Sequence, residues 1–229
     1  MPRFFAEIDG QGRAVVTGSD VRHITGPLRR GVGDELAIRV GEQGMRGRIT
    51  AVSPRAIVLE ILSSQELFDR GPAKVHLGVS LIDLKEMDGL VRRVTELGVA
   101  EIHPVVAERS NVRDIRERRS GRWLGIVLEA VKQCERRTIP VLHEPLTLRE
   151  LLEATAPSWP RRLVASLGSD LPIQEAKAPE VGILIGPEGG FSPRETEAIL
   201  ASGFTPVHMG RTILRASTAA MTAVGVLAS

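Results

Sequence analysis

Five consecutive residues, Gly186-Pro187-Glu188-Gly189-Gly190, set one carboxylate among three glycines directly after the apolar run "VGILI". Two explanations suit that spacing. Glycines let the main chain turn tightly, or let it lie against a ligand too closely for side chains. A second apolar run, "FTPVHM", ends in Gly210, with Leu214 and Arg215 close behind. Ligands of parallel sheets sit beyond the carboxyl ends of the strands. Two glycine-ended strands would offer backbone N–H and C=O groups to one flat ligand. The other chemistry-bearing residues are arginines. Between positions 109 and 137, nine basic residues (Arg109, Arg113, Arg116, Arg118, Arg119, Arg122, Lys132, Arg136 and Arg137) face four acidic ones, a local excess of +5. That run is either a solvated helix face or a phosphate-contacting stripe, for which the guanidinium fork is well suited.

The known phosphate cradles do not account for the glycines. A Walker loop needs Gly-Lys-Ser/Thr, whereas Gly190 is followed by Phe191. The chain contains neither the dinucleotide fingerprint G-x-G-x-x-G nor a G-x-S-x-G elbow. One cysteine, Cys134, excludes an intramolecular disulfide, and with five scattered histidines it offers no metal-ligand spacing, so no metal is expected. Ser192-Pro193-Arg194-Glu195 reads as a helix-starting capping box and needs no ligand to explain it.

These loops need elements to position them. With 229 residues, 42% hydrophobic and 25% charged, the chain has material for one large or two modest cores. Up to residue 70 it reads as closely spaced strands, "RFFAEI", "RAVVTG", "DELAIRV", "MRGRITAV" and "RAIVLEIL", with one short helical piece after the second. Such strands suggest a small β-barrel. "SSQELFDRGPAK" breaks the pattern and places the domain boundary, giving 1–70 and 71–229. From Val75 strands alternate with helices, which implies an α/β domain with a parallel, helix-covered sheet. "EMDGLVRRVTELGV" sets Met87, Leu90, Val91, Val94 and Leu97 at helical spacing. The last helix, Thr218 to Ala228, lacks a charged face and is expected to be buried all round. "MPRFFAEIDG" has no apolar signal region, and the C-terminal "ASTAAMTAVGVLAS" is too short to span a bilayer, so a soluble cytoplasmic chain is expected.

At these residues the chain resembles the RsmE-type 16S ribosomal RNA methyltransferases of the SPOUT superfamily. "LIGPEGGFSPRE", "ELGV" at 96–99, "ERS" at 108–110, "QCERRTIP" at 133–140 and "MGRTILRASTA" carry the resemblance, which covers nearly the whole chain. It implies a PUA-like RNA-binding barrel, then a SPOUT domain with a parallel sheet and a trefoil knot. It implies S-adenosylmethionine as cofactor and N3 of a uridine in the small subunit's 16S RNA as methyl acceptor. The cofactor loops carry over to Leu167 and Gly168, to Ile185, Gly186, Pro187, Glu188 and Gly189, and to Met209, Gly210, Ile213, Leu214, Arg215, Ser217 and Thr218. Glu188 either bonds a ligand hydroxyl or terminates the turn.

Uridine N3 bears an imide proton, so catalysis must stabilise charge developing on O2 and O4. Arg109 and Arg136 match family motif positions and are the expected catalytic residues. Expected RNA contacts are Arg3, Arg13, Arg22, Arg29 and Arg30 in the barrel, with Arg113, Arg116 and Arg119 from the basic run. A homodimer through the C-terminal domain is also implied. The chain departs from the family pattern at Ser217, where a glutamate is usual, at Lys132, usually acidic, and after Lys85, where a glycine is customary. The rival readings are a non-catalytic RNA-binding protein with a vestigial cofactor site, a SPOUT enzyme acting on another RNA, and a doubly wound nucleotide-binding enzyme.

Overall fold

The computed structural model describes residues 3–69, 71–110 and 118–229. Its contacts form two units, Met1–Asp69 with Val131–Thr138, and Arg70–Ala130 with Ile139–Ser229.

In the first unit the strands are β1 (Phe4–Phe5), β2 (Glu7–Ile8), β3 (Ala14–Thr17), β4 (Glu35–Val40), β5 (Gln43–Val52) and β6 (Ala56–Gln65), with α1 (Ser19–Thr25) after β3. They pair in the order β1-β4-β5-β6-β3-β2. Only Ala6 separates β1 from β2, yet these two lie at opposite ends of that order. The sheet must therefore curl until its edges approach, which makes it barrel-like. The run "RFFAEI", expected as one strand, is thus two. Its chain passes from β4 to β3 at Ala6, whose N–H donates to the Arg39 carbonyl at 2.8 Å. Alternation puts Ala14 and Val16, Leu36 and Ile38, and Ile57 and Leu59 inside, where they meet Phe4, Ile24 and Ile49. Register shifts in β5 at Arg46/Gly47 and Ile49/Ala51 bend the long strands, as bulges do.

In the second unit β7 (Lys74–Ser80), β8 (Glu101–Val106), β9 (Val141–Leu142), β10 (Leu146–Thr147), β11 (Arg162–Ala165), β12 (Glu180–Ile185) and β13 (Thr205–Val207) form one sheet. Its order is β10-β8-β7-β12-β11-β13, with β9 also on β8, and every pairing is parallel. The helices are α2 (Leu84–Glu96), α3 (Arg118–Cys134, in this unit up to Ala130), α4 (Leu148–Glu150), α5 (Pro193–Ala201) and α6 (Ala216–Leu227). After its first residue β7 is buried throughout, as a strand covered on both faces must be. Asp83 caps α2, and Met87, Leu90, Val91 and Val94 are buried as their spacing predicts. Thr147 and Glu150 form a capping box, after which the chain continues as a π turn and a 3-10 turn into Trp159.

Trp159 is fully buried, and its ring lies where Gly182 of β12 has no side chain. A Cβ built on Gly182 would lie far inside contact distance of Cε3 of that ring. Overpacking of this kind makes Gly182→Ala destabilising by about 1–3 kcal/mol. Urea unfolding checks this, and an unchanged midpoint would show that the ring yields freely.

One expectation is corrected here. α6 is not buried all round: Ala219, Ala220, Ala223, Val224 and Leu227 are buried, but Met221, Thr222, Gly225 and Val226 stay half-exposed on its other side. Residues 131–138 pack with the first unit although they lie far along the chain from it. Among the described residues, no helix is long and apolar enough to cross a membrane.

Candidate functional site

β12, β11 and β13 are neighbours, and their register pairs Val164 with Leu184 and Ala165 with Val207. Their carboxyl ends are therefore flush. The loops that follow, with the first turns of α6, enclose a cavity of about 400 Å³. This is where a parallel sheet binds ligands.

Of the cofactor residues expected from sequence, Leu167, Ile185, Gly186, Pro187, Glu188, Gly189, Met209, Gly210, Ile213 and Leu214 line this cavity. Gly168, Arg215, Ser217 and Thr218 do not. Arg215 points instead to Glu86, with Nη1 3.5 Å from its carboxylate. In α6 the lining residues are Ala216 and Ala219, which share a face at i, i+3 and leave Ser217 and Thr218 off it. Ala165, Ser166, Gly190, Phe191 and Val207 also line the cavity, and sequence reading missed them; Thr212, inside the expected loop 209–218, lines it too. Strand register could have flagged Ala165 and Val207; Phe191 carried no signal.

The glycines differ in purpose. A Cβ on Gly186 would meet the protein's own Phe191 ring at 3.1 Å, so the missing side chain here makes room for Phe191. Gly190 has φ 67 and closes a turn by donating its N–H to the Pro187 carbonyl at 2.8 Å. Gly210 has φ 122, with nothing within 4 Å of its missing Cβ. Gly190 shares that open space, but its conformation already serves the turn to Pro187. Leu167 and Ile213 are 64% and 83% exposed, large apolar side chains held open at the mouth of the cavity.

Arg109 stands at the rim. Its Nη1 donates to the Gly189 carbonyl at 2.8 Å, so the arginine braces the glycine loop. The loop carrying Arg109 is fixed by two contacts. Ser110 Oγ accepts the Ala107 N–H at 3.0 Å, and Glu195 Oε1 accepts the Glu108 N–H at 2.8 Å. The other Glu195 oxygen accepts from Ser192 N at 2.8 Å, completing the predicted capping box. One buried carboxylate thus starts α5 and positions the Arg109 loop. Glu195→Ala removes both functions and is expected to cost about 1–3 kcal/mol. It should also lower turnover more than Ser192→Ala, which removes only part of the cap. Equal stability of Glu195→Ala and wild type in urea would contradict this role.

Arg136 belongs to the first unit and is buried there. Its Nη2 donates to Thr138 Oγ1 at 2.8 Å, and its Nε is 3.5 Å from Asp69. Burial lowers its pKa, and Asp69 opposes that shift. These contacts give Arg136 a structural environment. Arg3 is corrected outright as an RNA contact: it is 4% exposed and donates to Gln65 and Glu135 at 2.7 and 3.0 Å. Arg22 and Arg29 are exposed. Arg30 is half-buried and 3.4 Å from Asp34, and Arg13 is held by Asp9. Arg113 and Arg116 lie outside the described residues, as does the side chain of Arg119, whose backbone is in α3. The +5 excess is partly neutralised by acids remote in sequence. Lys132 meets both oxygens of Asp20 at 2.9 Å, Arg122 meets Asp88 at 2.6 Å, and Arg137 meets Glu42 at 3.0 Å.

Residues 69–228 match the family described as an RNA methyltransferase domain. The chain belongs to that family. Among relatives of this RNA methyltransferase, the ribosomal RNA small subunit methyltransferase E of Synechocystis is 28% identical over 217 residues, 91% of this chain and 70% of that protein. The corresponding enzyme of Neisseria gonorrhoeae, solved bound to S-adenosyl methionine, superposes with a TM-score of 0.87 at 28% identity, covering 98% and 95% of the two chains. A Legionella pneumophila methyltransferase solved with the same cofactor gives 0.85 at 28% identity, covering 99% and 97%.

Proposed function

We propose that this chain methylates N3 of a uridine in the 16S RNA of the small ribosomal subunit, using S-adenosylmethionine. The observation that carries the reading is the cavity at three flush strand ends in a chain of the RNA methyltransferase family. At about 400 Å³ it falls within the size range of cofactor sites. Its walls suit the group: Leu167, Ile213 and Leu214 present apolar surface to a flat ring, while the loop backbones supply hydrogen-bonding groups. Among the lining residues, Glu188 is the one ionisable side chain, placed to accept from a ribose hydroxyl. When bound, S-adenosylmethionine supplies an electrophilic methyl group.

The protein supplies geometry and electrostatics. Burial of the apolar faces excludes water, and the Glu195-fixed loop aims a guanidinium at the rim. Arg109 is assigned to the uridine oxygens, where charge grows as the N3 proton leaves. Exposed Arg22 and Arg29 are assigned to the RNA backbone, together with Arg113, Arg116 and Arg119. The proposal includes a PUA-like role for the barrel, a trefoil knot in the cavity loops and a cytoplasmic setting. It also includes a homodimer through the half-exposed stripe of Met221, Thr222, Gly225 and Val226, which light scattering tests; a monomer at micromolar concentration would remove it.

Calorimetry with S-adenosylhomocysteine tests the site. One molecule bound per chain is expected, and binding lost in Ile213→Asp but kept in Leu62→Asp, an exposed leucine of β6, would localise it to the cavity. No binding to the folded wild type would overturn the reading.

A further inference from the structure

Three of the five histidines, far apart in sequence, meet on one carboxylate. His76 lies near the start of β7, Glu101 and His103 near the start of β8, and His143 just after β9. His76, Glu101 and His103 sit near the amino ends of β7 and β8, away from the cavity, and the β8–β9 register brings His143 level with His103. β12 illustrates the separation: Glu180 at its amino end contacts His76, whereas Ile185, its last residue, lines the cavity. Five residues of strand separate these by about 17 Å.

The geometry is that of a ligand set. Glu101 Oε2 is 3.0 Å from His103 Nε2, 3.0 Å from His143 Nε2 and 3.4 Å from His76 Nδ1. Donor atoms of His76, Glu101 and His103 all lie within 4.8 Å of one another. Bonds of about 2.0–2.2 Å to a tetrahedral metal put neighbouring ligand atoms about 3.4 Å apart. The rings of His103 and His143 stack in parallel at 4.0 Å, which turns both Nε2 atoms towards the same oxygen. His103 and His143 already fill the two lone-pair sites of that oxygen, so His76 Nδ1, 3.4 Å away, finds none left to donate to. A cation among them lets the nitrogens act as acceptors instead.

A second observation points the same way. His76 and His103 are 6% and 1% exposed, and Nδ1 of His76, which faces Glu101, is buried with no hydrogen-bond partner. Its other nitrogen, Nε2, lies 3.0 Å from Glu180 Oε1. A carboxylate on the far side of an imidazole fixes the tautomer that leaves the near nitrogen free to ligate, the usual outer-sphere arrangement of metal-bound histidine.

We propose that His76, Glu101, His103 and His143 bind one zinc(II) ion that clasps the amino ends of β7 and β8 to the segment after β9, with Glu180 orienting His76. Imidazole and carboxylate donors suit zinc, and four protein ligands leave no open position, the mark of a structural site. The methyltransferase reading plays no part in this proposal.

The test uses the full chain, stripped with a chelator, dialysed against buffered zinc and assayed for metal by mass spectrometry. One zinc per chain is expected, with a melting temperature about 5 °C higher than that of the stripped protein. Glu101→Gln and His143→Ala should each weaken zinc binding at least about tenfold. His143 is half-exposed, so its variant keeps the buried packing and stays informative if Glu101→Gln fails to fold. Affinity for S-adenosylhomocysteine should not change in His143→Ala. Zinc retained equally by wild type and His143→Ala, or no zinc-dependent stabilisation of the wild type, would overturn the site and leave a hydrogen-bonded His–carboxylate cluster.

Discussion

Arg109→Ala is expected to lower turnover by about 10²–10³-fold, the effect of removing one donor aimed at charge that forms in the transition state. The guanidinium is fixed at one nitrogen by the Gly189 carbonyl, while the residue remains exposed at the rim. A donor so placed gains most when its partner becomes negative. Arg109→Lys keeps the charge but loses the planar fork, so it should recover only part of the rate. Because Arg109 also braces Gly189, cofactor affinity must be measured alongside. It should change far less than turnover. A variant with a raised KM, unchanged kcat and weakened cofactor binding would make Arg109 a loop brace and nothing more.

The second large effect is expected at Gly210. Its φ of 122 is disfavoured for any side chain, and nothing lies within 4 Å of its missing Cβ although the residue lines the cavity. Backbone strain of about 1–3 kcal/mol adds to direct occlusion of the ligand. Gly210→Val should weaken S-adenosylhomocysteine binding by about 100-fold or more, the equivalent of roughly 2.7 kcal/mol. Gly210→Ala carries the strain with less bulk and should fall between. Gly168→Val is the control. Gly168 follows Leu167 but does not line the cavity, and nothing lies within 4 Å of its Cβ. Equal losses in Gly168→Val and Gly210→Val would mean that the loops fail generally rather than at one ligand surface.

The site was legible where the chain is continuous. "LIGPEGGFSPRE" carries a strand end, a turn and a capping box in order, and each appears in the structure where local chemistry puts it. The helical spacing of Met87, Leu90, Val91 and Val94 likewise fixes which face of α2 is buried. Long-range pairing left no such trace. Nothing near Lys132 in sequence reveals Asp20, and nothing near Arg136 reveals Asp69, so the basic run looked freer than it is. The histidines gave no spacing motif because parallel strands, not one helix or loop, bring them together. At Gly186, which lines the cavity, the sequence did not show that Phe191, five residues on, occupies the side-chain space. Ser217, where the resembled family usually has glutamate, does not line the cavity, whose wall in α6 is Ala216 and Ala219.

The activity itself is tested by incubating the purified chain with small ribosomal subunits that lack the modification and with methyl-labelled S-adenosylmethionine. The RNA is then digested and its nucleosides are analysed by mass spectrometry. Label is expected in 3-methyluridine from 16S RNA, present with wild type and nearly absent with Arg109→Ala and Gly210→Val. Label on a ribose, on cytidine or on a purine, or no transfer by a wild-type protein that binds the cofactor, would contradict the assignment.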